Sequence, residues 1–272
     1  MAGAALDPQE TKQTRSRVDL HTHILPGLDD GAASLAEAAR MARVALADGI
    51  GRMAATPHGL RLPPGADQAA LATRVAELAS FLKARALPLQ VVVGAETALI
   101  PFLPQQIDAG QAVTLNGSRY LLLEFPYRGL PTRVEEMLFQ VQVRGLVPIL
   151  AHPERNAQLQ RSPELLARWV ERGALVQVTA GSLLGHFGRG PQHAAERFLE
   201  AGLAHVIASD AHNAEERPPI LSLAQAKAAE ITGEARAQAM VSSTPAAILD
   251  DLPLEFEPPR LVEKKRWFGL FG

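Results

Sequence analysis

Seven short apolar or β-branched runs, separated by longer amphipathic stretches at a spacing of roughly thirty residues, the size of a βα unit, constrain this chain more than any other feature. The runs cover 17–20, 50–56, 89–94, 119–125, 145–150, 174–179 and 204–209. They are continuously apolar rather than alternating, as strands of a parallel sheet buried on both faces must be. The intervening stretches carry helix punctuation. Ser34 and Glu37 make a capping box, Leu35, Ala39, Ala42 and Leu46 keep one apolar face, and Gly49 stops the helix. Ser162, Pro163 and Glu164 open another as N-cap, N1 and N2, with Leu165, Leu166, Trp169 and Val170 turned inward and Gly173 as the stop. Thr244 and Pro245 open a short last helix in the same way. No long polar linker interrupts the series, so the pattern predicts a single-domain α/β barrel rather than two domains.

Composition narrows the chemistry. With 272 residues, 47% hydrophobic and 21% charged, the chain has enough apolar surface for a core without disulfides. It contains no cysteine, which excludes thiol nucleophiles, zinc fingers, iron–sulfur clusters and disulfide frameworks. Lys and Arg number 27 against 29 Asp and Glu, so no nucleic-acid partner held by a broad basic surface is expected. Residues 1–16 read as a polar leader; Lys12, Arg15 and Arg17 precede no apolar run of signal-peptide type, and no uncharged stretch of about eighteen apolar residues occurs, so the expected location is cytoplasmic. The barrel is expected over 17–252, followed by a Pro-rich, basic-aromatic tail over 253–272. Lys264, Lys265, Arg266, Trp267, Phe268 and Phe271 in that tail suggest a peripheral contact with an anionic membrane, against which Glu263 and the small number of cations count; a disordered tail or a protein contact competes with that reading.

Residues able to bind metal sit just beyond the ends of the runs. His21-Thr22-His23 closes the first, with Asp29 and Asp30 in the following loop; Thr56-Pro57-His58 closes the second, Gly94-Ala95-Glu96 the third and Glu124 the fourth. The fifth leads into His152-Pro153-Glu154-Arg155 and the seventh into Ser209-Asp210-Ala211-His212, whereas the sixth ends at Thr179 without an acid or histidine. In a β/α barrel these positions converge on one face, where barrel enzymes place their active sites. A single histidine after a strand is more often a hydrogen-bonded core or loop residue than a ligand. An H-x-H pair, however, turns both side chains to one face of a strand, and five of the eight histidines fall at these ends. Imidazole and carboxylate without sulfur suit manganese, iron or zinc. Five histidines and four carboxylates exceed the needs of one ion, so two or three ions are expected. Ions about 3.5–4 Å apart stabilise attacking and leaving oxygens and can lower a water's pKa to about 7, giving a hydroxide nucleophile. Hydrolysis, most naturally of a phosphate ester, is the reaction class.

DLHTHILPGLDDG, ATPH, GAE, LLLEFP, PILAHPERN and VIASDAHNAEERPP, in this order and spacing, resemble the bacterial manganese-dependent protein-tyrosine phosphatases of capsule and exopolysaccharide operons, members of the PHP (polymerase and histidinol phosphatase) superfamily. TLNGSRYLLLEF and VTAGSLLGHFG resemble the same branch, and the likeness spans about residues 17–252. The resemblance implies a distorted TIM-like (β/α)7 PHP barrel with a manganese centre, iron or zinc being the other candidates. Carried over by motif, the metal ligands would be His21, His23, Asp30, His58, Glu96 as a bridge, Glu124, His152, Asp210 and His212, with Asp29 orienting its loop. Which residue serves which ion stays open. Arg155 and Arg217 match the arginines at the phosphate, where a guanidinium fork can hold two oxygens and offset developing charge. The competing reading pairs Arg155 with a nearby carboxylate and makes Arg217 a loop cap before Pro218.

The implied substrate is a phosphotyrosine protein, in particular the tyrosine-rich tail of a bacterial tyrosine kinase controlling polysaccharide export. The alternative is a small phosphomonoester such as histidinol phosphate. Phenolate leaves with a pKa near 10, so phosphotyrosine needs less leaving-group protonation than a serine ester. An amidohydrolase would place a lysine and a histidine where Glu124 and Thr179 stand, which argues against that class. A non-catalytic phosphotyrosine-binding module is the remaining class, disfavoured by so full a ligand set. His193 and His205 are expected to be structural, and His186 to face the site's end of the barrel.

Overall fold

The computed structural model describes residues 16–62, 65–126 and 128–259. The leader up to residue 15 and the basic-aromatic stretch 264–271 therefore lie outside the described residues. All seven runs are strands: β1 (Arg17–Thr22), β2 (Ile50–Ala55), β3 (Gln90–Val93), β5 (Tyr120–Glu124), β6 (Val147–Ala151), β7 (Leu175–Thr179) and β8 (Val206–Ala208). An eighth, β4, is the two-residue segment Thr97–Ala98, which pairs with Leu123 and Glu124 of β5. Two residues carry no period, so sequence patterning cannot reveal such a strand.

Every pairing is parallel. One sheet runs β1-β2-β3 and the other β4-β5-β6-β7-β8. An isolated bridge between Thr22 and Ala211 joins the end of β1 to the chain after β8, and another between His58 and Glu96 joins the segments after β2 and β3. At the first junction the buried Asp19 accepts from Ser209 N at 3.0 Å and from the Ser209 hydroxyl. Parallel pairing brings the C-terminal ends of all these strands to one end of the molecule.

Strand residues divide with a period of two, as the pleat dictates. Val18, Leu20, Ala54, Val92, Leu122, Ile149 and Val206 meet in one cluster, closed by Ile248 and Leu249 of the helix Ser243–Leu249. Their neighbours Met53, Val91, Val93, Leu121, Leu123, Leu150, Val176 and Ile207 face outward into a larger cluster with the surrounding helices. The result is a single α/β domain whose strands are buried on both faces, as their unbroken apolar character predicts. Leu254, just beyond, packs against the smaller cluster.

Three helix details differ from expectation. In the helix Leu35–Ala47 Ser34 does accept from Glu37 N, but the Glu37 carboxylate reaches out to Arg40 and to Ala214 N rather than back to the cap. Ala39 and Ala42 are buried and Leu46 packs against the core as expected, but Leu35 is exposed and Ala38, Met41 and Ala45 complete the buried face. The last helix starts at Ser243, with Ser242 at its cap position, so Thr244 and Pro245 already sit in its first turn. Elsewhere Ser162 precedes the helix Pro163–Glu171 as expected, without a side-chain capping bond.

Candidate metal centre

The loop after β1 folds back over its own histidines. Gly31 makes this approach feasible, because a Cβ there would run into the backbone oxygen and Cβ of His23. Ala32 N donates to His23 O at 2.9 Å, and the turn presents Asp29 and Asp30 over the strand ends. Two further ligand candidates stand on left-handed backbone, His152 with φ 32° after β6 and Asp210 with φ 53° after β8. Non-glycine residues there cost of order 1–3 kcal/mol and persist where neighbours enforce them. The enforcement is visible in His152 N donating to Gln177 O at 2.9 Å and Asp210 N to His21 O at 2.9 Å.

All nine proposed ligands converge. Among the described residues, three overlapping groups bring one ligand atom each to within 4.8 Å of one another: His23, Asp30, His58 and His212; His21, His23 and Glu96; and His58, Glu96 and Glu124. Glu96 is the hub, with Oε2 2.8 Å from His58 Nδ1, 3.4 Å from His21 Nε2 and 3.6 Å from His23 Nε2, and with Oε1 2.7 Å from His152 Nε2. Asp210 Oδ1 stands 3.3 Å from His23 Nε2 and 3.5 Å from His21 Nε2. Glu124 Oε2 lies 3.6 Å from His58 Nδ1, and Asp30 Oδ1 lies 3.4 Å from His58 Nε2 and 3.7 Å from His212 Nε2. Asp30 is the one ligand candidate at the solvent edge, its side chain 48% exposed and near Arg61.

The outer ring nitrogens are held from behind. His23 Nδ1 donates to Asp29 Oδ2 at 2.6 Å, His21 Nδ1 to Gln177 Oε1 at 3.0 Å, and His212 Nδ1 to Asp210 O at 3.0 Å. A proton fixed on Nδ1 leaves the Nε2 lone pair facing the cluster, which is the tautomer a ligand needs. Asp29 thus acts as the orienting residue, also accepting from Gly31 N and His58 N. Gln177 was missed because an amide is not a ligand type; the clue was a lone polar residue inside the buried run ALVQVT.

The electrostatics shows which charge the cluster favours. Burial opposes charge on His21, yet Glu96 and Asp210 raise its imidazole to about 9. Burial likewise opposes charge on His58, while Glu124 and Glu96 raise it to about 10. Glu96 and Asp210, although burial works against their ionised forms, are held well below the usual carboxylate range, both chiefly by His21. His212 goes the other way, lowered to about 4 by burial and by His23. Protons on His21 and His58 stand where positive charge is needed. Glu96 Oε2 is fully buried, its nearest donor being the His58 imidazole at 2.8 Å, and an ionised carboxylate at such depth persists only against positive charge. Oxygen and nitrogen donors without sulfur, a buried central carboxylate and three overlapping ligand groups fit hard or borderline divalent ions.

Arg155 and Arg217 meet on the far side of Asp210, each donating to Oδ2 at 2.6 Å, with Arg217 also reaching Asp210 O at 3.0 Å. The carboxylate pairing weighed for Arg155 is therefore present, and its partner belongs to the cluster. Beside His58, Glu96 and Glu124 opens a cavity of about 290 Å3 that reaches Leu60, Arg61 and Ala98. Two of the remaining histidines stand apart. His205 is buried at the opposite ends of the strands, accepting from Val176 N at 3.0 Å and lowered to about 4 by burial. His193 lies in the helix Arg189–Glu200. His186, exposed after β7, lines a small cavity with Phe187, Ser209 and Arg217 and so faces the site's end of the strands as expected.

The family model for capsular polysaccharide synthesis proteins, CpsB/CapC, matches residues 17–250. The tyrosine-protein phosphatase YwqE of Bacillus subtilis is 34% identical over 259 residues, covering 93% of this chain and all of that protein. CapC of Staphylococcus aureus is 36% identical over 204 residues, covering 75% of this chain and 80% of that protein. A crystal structure from work on YwqE of Bacillus subtilis and CpsB of Streptococcus pneumoniae, described as unique metal-dependent tyrosine phosphatases, superposes with a TM-score of 0.84 at 34% identity, covering 91% of this chain and 100% of that one. A model match over nearly all the described residues, joined to relatives matched along their length, means that the chain belongs to the CpsB/CapC family of capsular polysaccharide synthesis.

Proposed function

We propose that this protein is a metal-dependent protein-tyrosine phosphatase, its two parallel sheets closing as a distorted (β/α)7 barrel over 17–252 with the metal centre at the C-terminal strand ends. One observation carries the reading. Asp210 directs Oδ1 at the His21 and His23 imidazoles and Oδ2 at both Arg155 and Arg217, so the candidate ligand cluster and two guanidiniums share one wall. That juxtaposition suits a phosphate dianion, whose non-bridging oxygens the two arginines would receive beside the metal that the cluster would hold. The names of YwqE and CapC point the same way.

His21, His23, Asp30, His58, Glu96, Glu124, His152, Asp210 and His212 would hold two or three ions, which we take to be Mn2+, iron or zinc being chemically admissible. Such ions would supply Lewis acidity and a water acidic enough to ionise at neutral pH. The chain's own residues do the rest. Asp29 and Gln177 keep the His23 and His21 lone pairs inward, Asp210 aims both guanidiniums, and the arginines bind the phosphoryl oxygens and offset charge as the P–O bond breaks. A phenolate leaving group, with a pKa near 10, makes little demand for a general acid. We take the substrate to be a phosphotyrosine segment of a bacterial tyrosine kinase in polysaccharide export, and the site of action to be cytoplasmic. No helix among the described residues is long and apolar enough to cross a membrane. A peripheral membrane contact would fall to the tail over 253–272.

The test is phosphate release by chelator-stripped protein, resupplied separately with manganese, zinc or magnesium, from a phosphotyrosine peptide, a phosphoserine peptide and histidinol phosphate. Manganese-dependent turnover favouring phosphotyrosine is expected. It should fall by about 100-fold or more in a folded Arg155→Ala variant, the order seen when one transition-state contact is removed, and be lost in a folded His152→Ala variant through weakened metal binding. Release from histidinol phosphate alone would transfer the site to small phosphomonoesters, and silence on all three with metal bound would leave a binding module.

A further inference from the structure

We propose that Phe187 is a positioning residue for phosphate recognition, its ring fixing the guanidinium planes of Arg155 and Arg217; this rests on the reading that those arginines receive the phosphate. The Phe187 ring centroid lies 4.4 Å from Arg155 Cζ and 5.6 Å from Arg217 Cζ, both within the reach of a cation–π contact. Each arginine is tied to Asp210 Oδ2. Arg217 also donates to Asp210 O at 3.0 Å, and the ring adds an aromatic contact to each guanidinium beside those hydrogen bonds. The quadrupole of the ring also offsets the repulsion between two cations that share one carboxylate oxygen.

The local chain is shaped to put an aromatic ring there. Phe187 is bracketed by Gly185 at φ +81° and Gly188 at φ +90°, conformations that favour glycine. His186 N donates to Gly181 O at 2.9 Å and Gly188 N to Gly185 O at 3.0 Å, closing the loop into consecutive turns. Gly181, in the short helix Ala180–Leu183, leaves the space: a Cβ there would stand 3.0 Å from Phe187 Cε2. The ring is half-buried, and among the described residues Phe187 belongs to neither apolar core cluster.

The experiment measures kcat and KM on a phosphotyrosine peptide, and the inhibition constant of inorganic phosphate, for the metal-loaded full chain. Phe187→Leu should lower kcat/KM and weaken phosphate inhibition by roughly 5- to 30-fold at unchanged melting temperature, the span of a partly desolvated cation–π contact. Phe187→Tyr, which keeps the ring, should stay within about 3-fold of wild type. Gly181→Ala, which crowds the ring without removing it, should reproduce the loss and serves as the second variant if Phe187→Leu unfolds. In an Arg155→Ala background the Phe187→Leu effect should shrink to below about 2-fold, because the residue acts through the arginine. Equal losses for Leu and Tyr, no loss for Leu, or a loss undiminished in the Arg155→Ala background overturns the inference. Arg155→Ala and Arg217→Ala variants that keep wild-type kcat/KM and phosphate inhibition would instead overturn the reading of the site itself.

Discussion

Asp29 accepts from His23 Nδ1 at 2.6 Å, from His58 N at 3.0 Å and from Gly31 N at 2.9 Å, so one carboxylate sets a tautomer and pins the loop that carries Asp30. Its own ionised form is favoured: burial opposes charge, but the hydrogen bond from His23 and the field of that ring bring it to about 2. Removing it frees the His23 ring to flip and lets the loop drift, while every proposed ligand remains. Asp29→Ala is therefore expected to weaken metal binding by about 10–100-fold, the usual cost of deleting an orienting partner. Competition with a chromogenic chelator would measure it, and an unchanged affinity would mean that packing alone holds the ring. Residues of this kind mark the limit of sequence reading. The nine ligand candidates were legible because histidines and acids at strand ends are rare in combination. Gln177 does the same for His21 as Asp29 for His23, but a glutamine in a strand carries no chemical signature until the fold brings His21 Nδ1 to 3.0 Å.

Elements were legible to the degree that they repeat a period. Seven strands announced themselves as continuous apolar runs, and the helices between them by caps and amphipathic faces. What escaped depends on tertiary contact: β4 exists through its pairing to Leu123 and Glu124, and Glu37 leaves its capping box because Ala214 N offers a closer need. The helix Ser222–Thr232 makes the same point. Its cap position is Leu221, which has no side chain able to cap, and the service comes from Asp48 at the far end of the helix Leu35–Ala47. Asp48 Oδ2 accepts from Leu221 N at 2.7 Å and Ser222 N at 3.0 Å, while Oδ1 accepts from the Ser222 hydroxyl. Asp48→Ala leaves these donors with water or nothing, at a cost of about 2 kcal/mol, the upper range for a lost cap. For a chain of this size that lowers the melting temperature by roughly 4–8 °C. Because Asp48 stands apart from the cluster, kcat/KM measured well below the transition should not change; a kinetic loss would show that this helix couples to the centre.

At the scale of the whole molecule, a chain of net charge −2 concentrates acids and imidazoles at one end of its strands, so folding and cation binding are one electrostatic problem. In stripped protein the imidazoles of His21 and His58, at about 9 and about 10, stand above the ordinary value near 6.5. A folded-state pKa raised in this way adds stability that is complete below pH 6.5 and is lost as pH rises through the folded values, because the native state binds more protons than the unfolded chain across that window. His212, lowered to about 4, and Asp19, raised to about 6 by burial, titrate mostly below pH 7 and add little slope above about pH 7.5. Stripped protein should therefore lose melting temperature steadily between pH 7 and pH 9. His23 is raised as well, against burial, by Asp210 and Asp29; metal loading requires these imidazoles to free their ligating nitrogens, so it must expel protons near pH 7 and grow tighter as pH rises. Calorimetric titrations with Mn2+ in buffers of different ionisation enthalpy would count the protons. Melting curves of loaded and stripped protein should diverge as pH rises from 7 to 9. Parallel curves, or binding without proton release, would mean that the His21 and His58 protons are not what the ions replace.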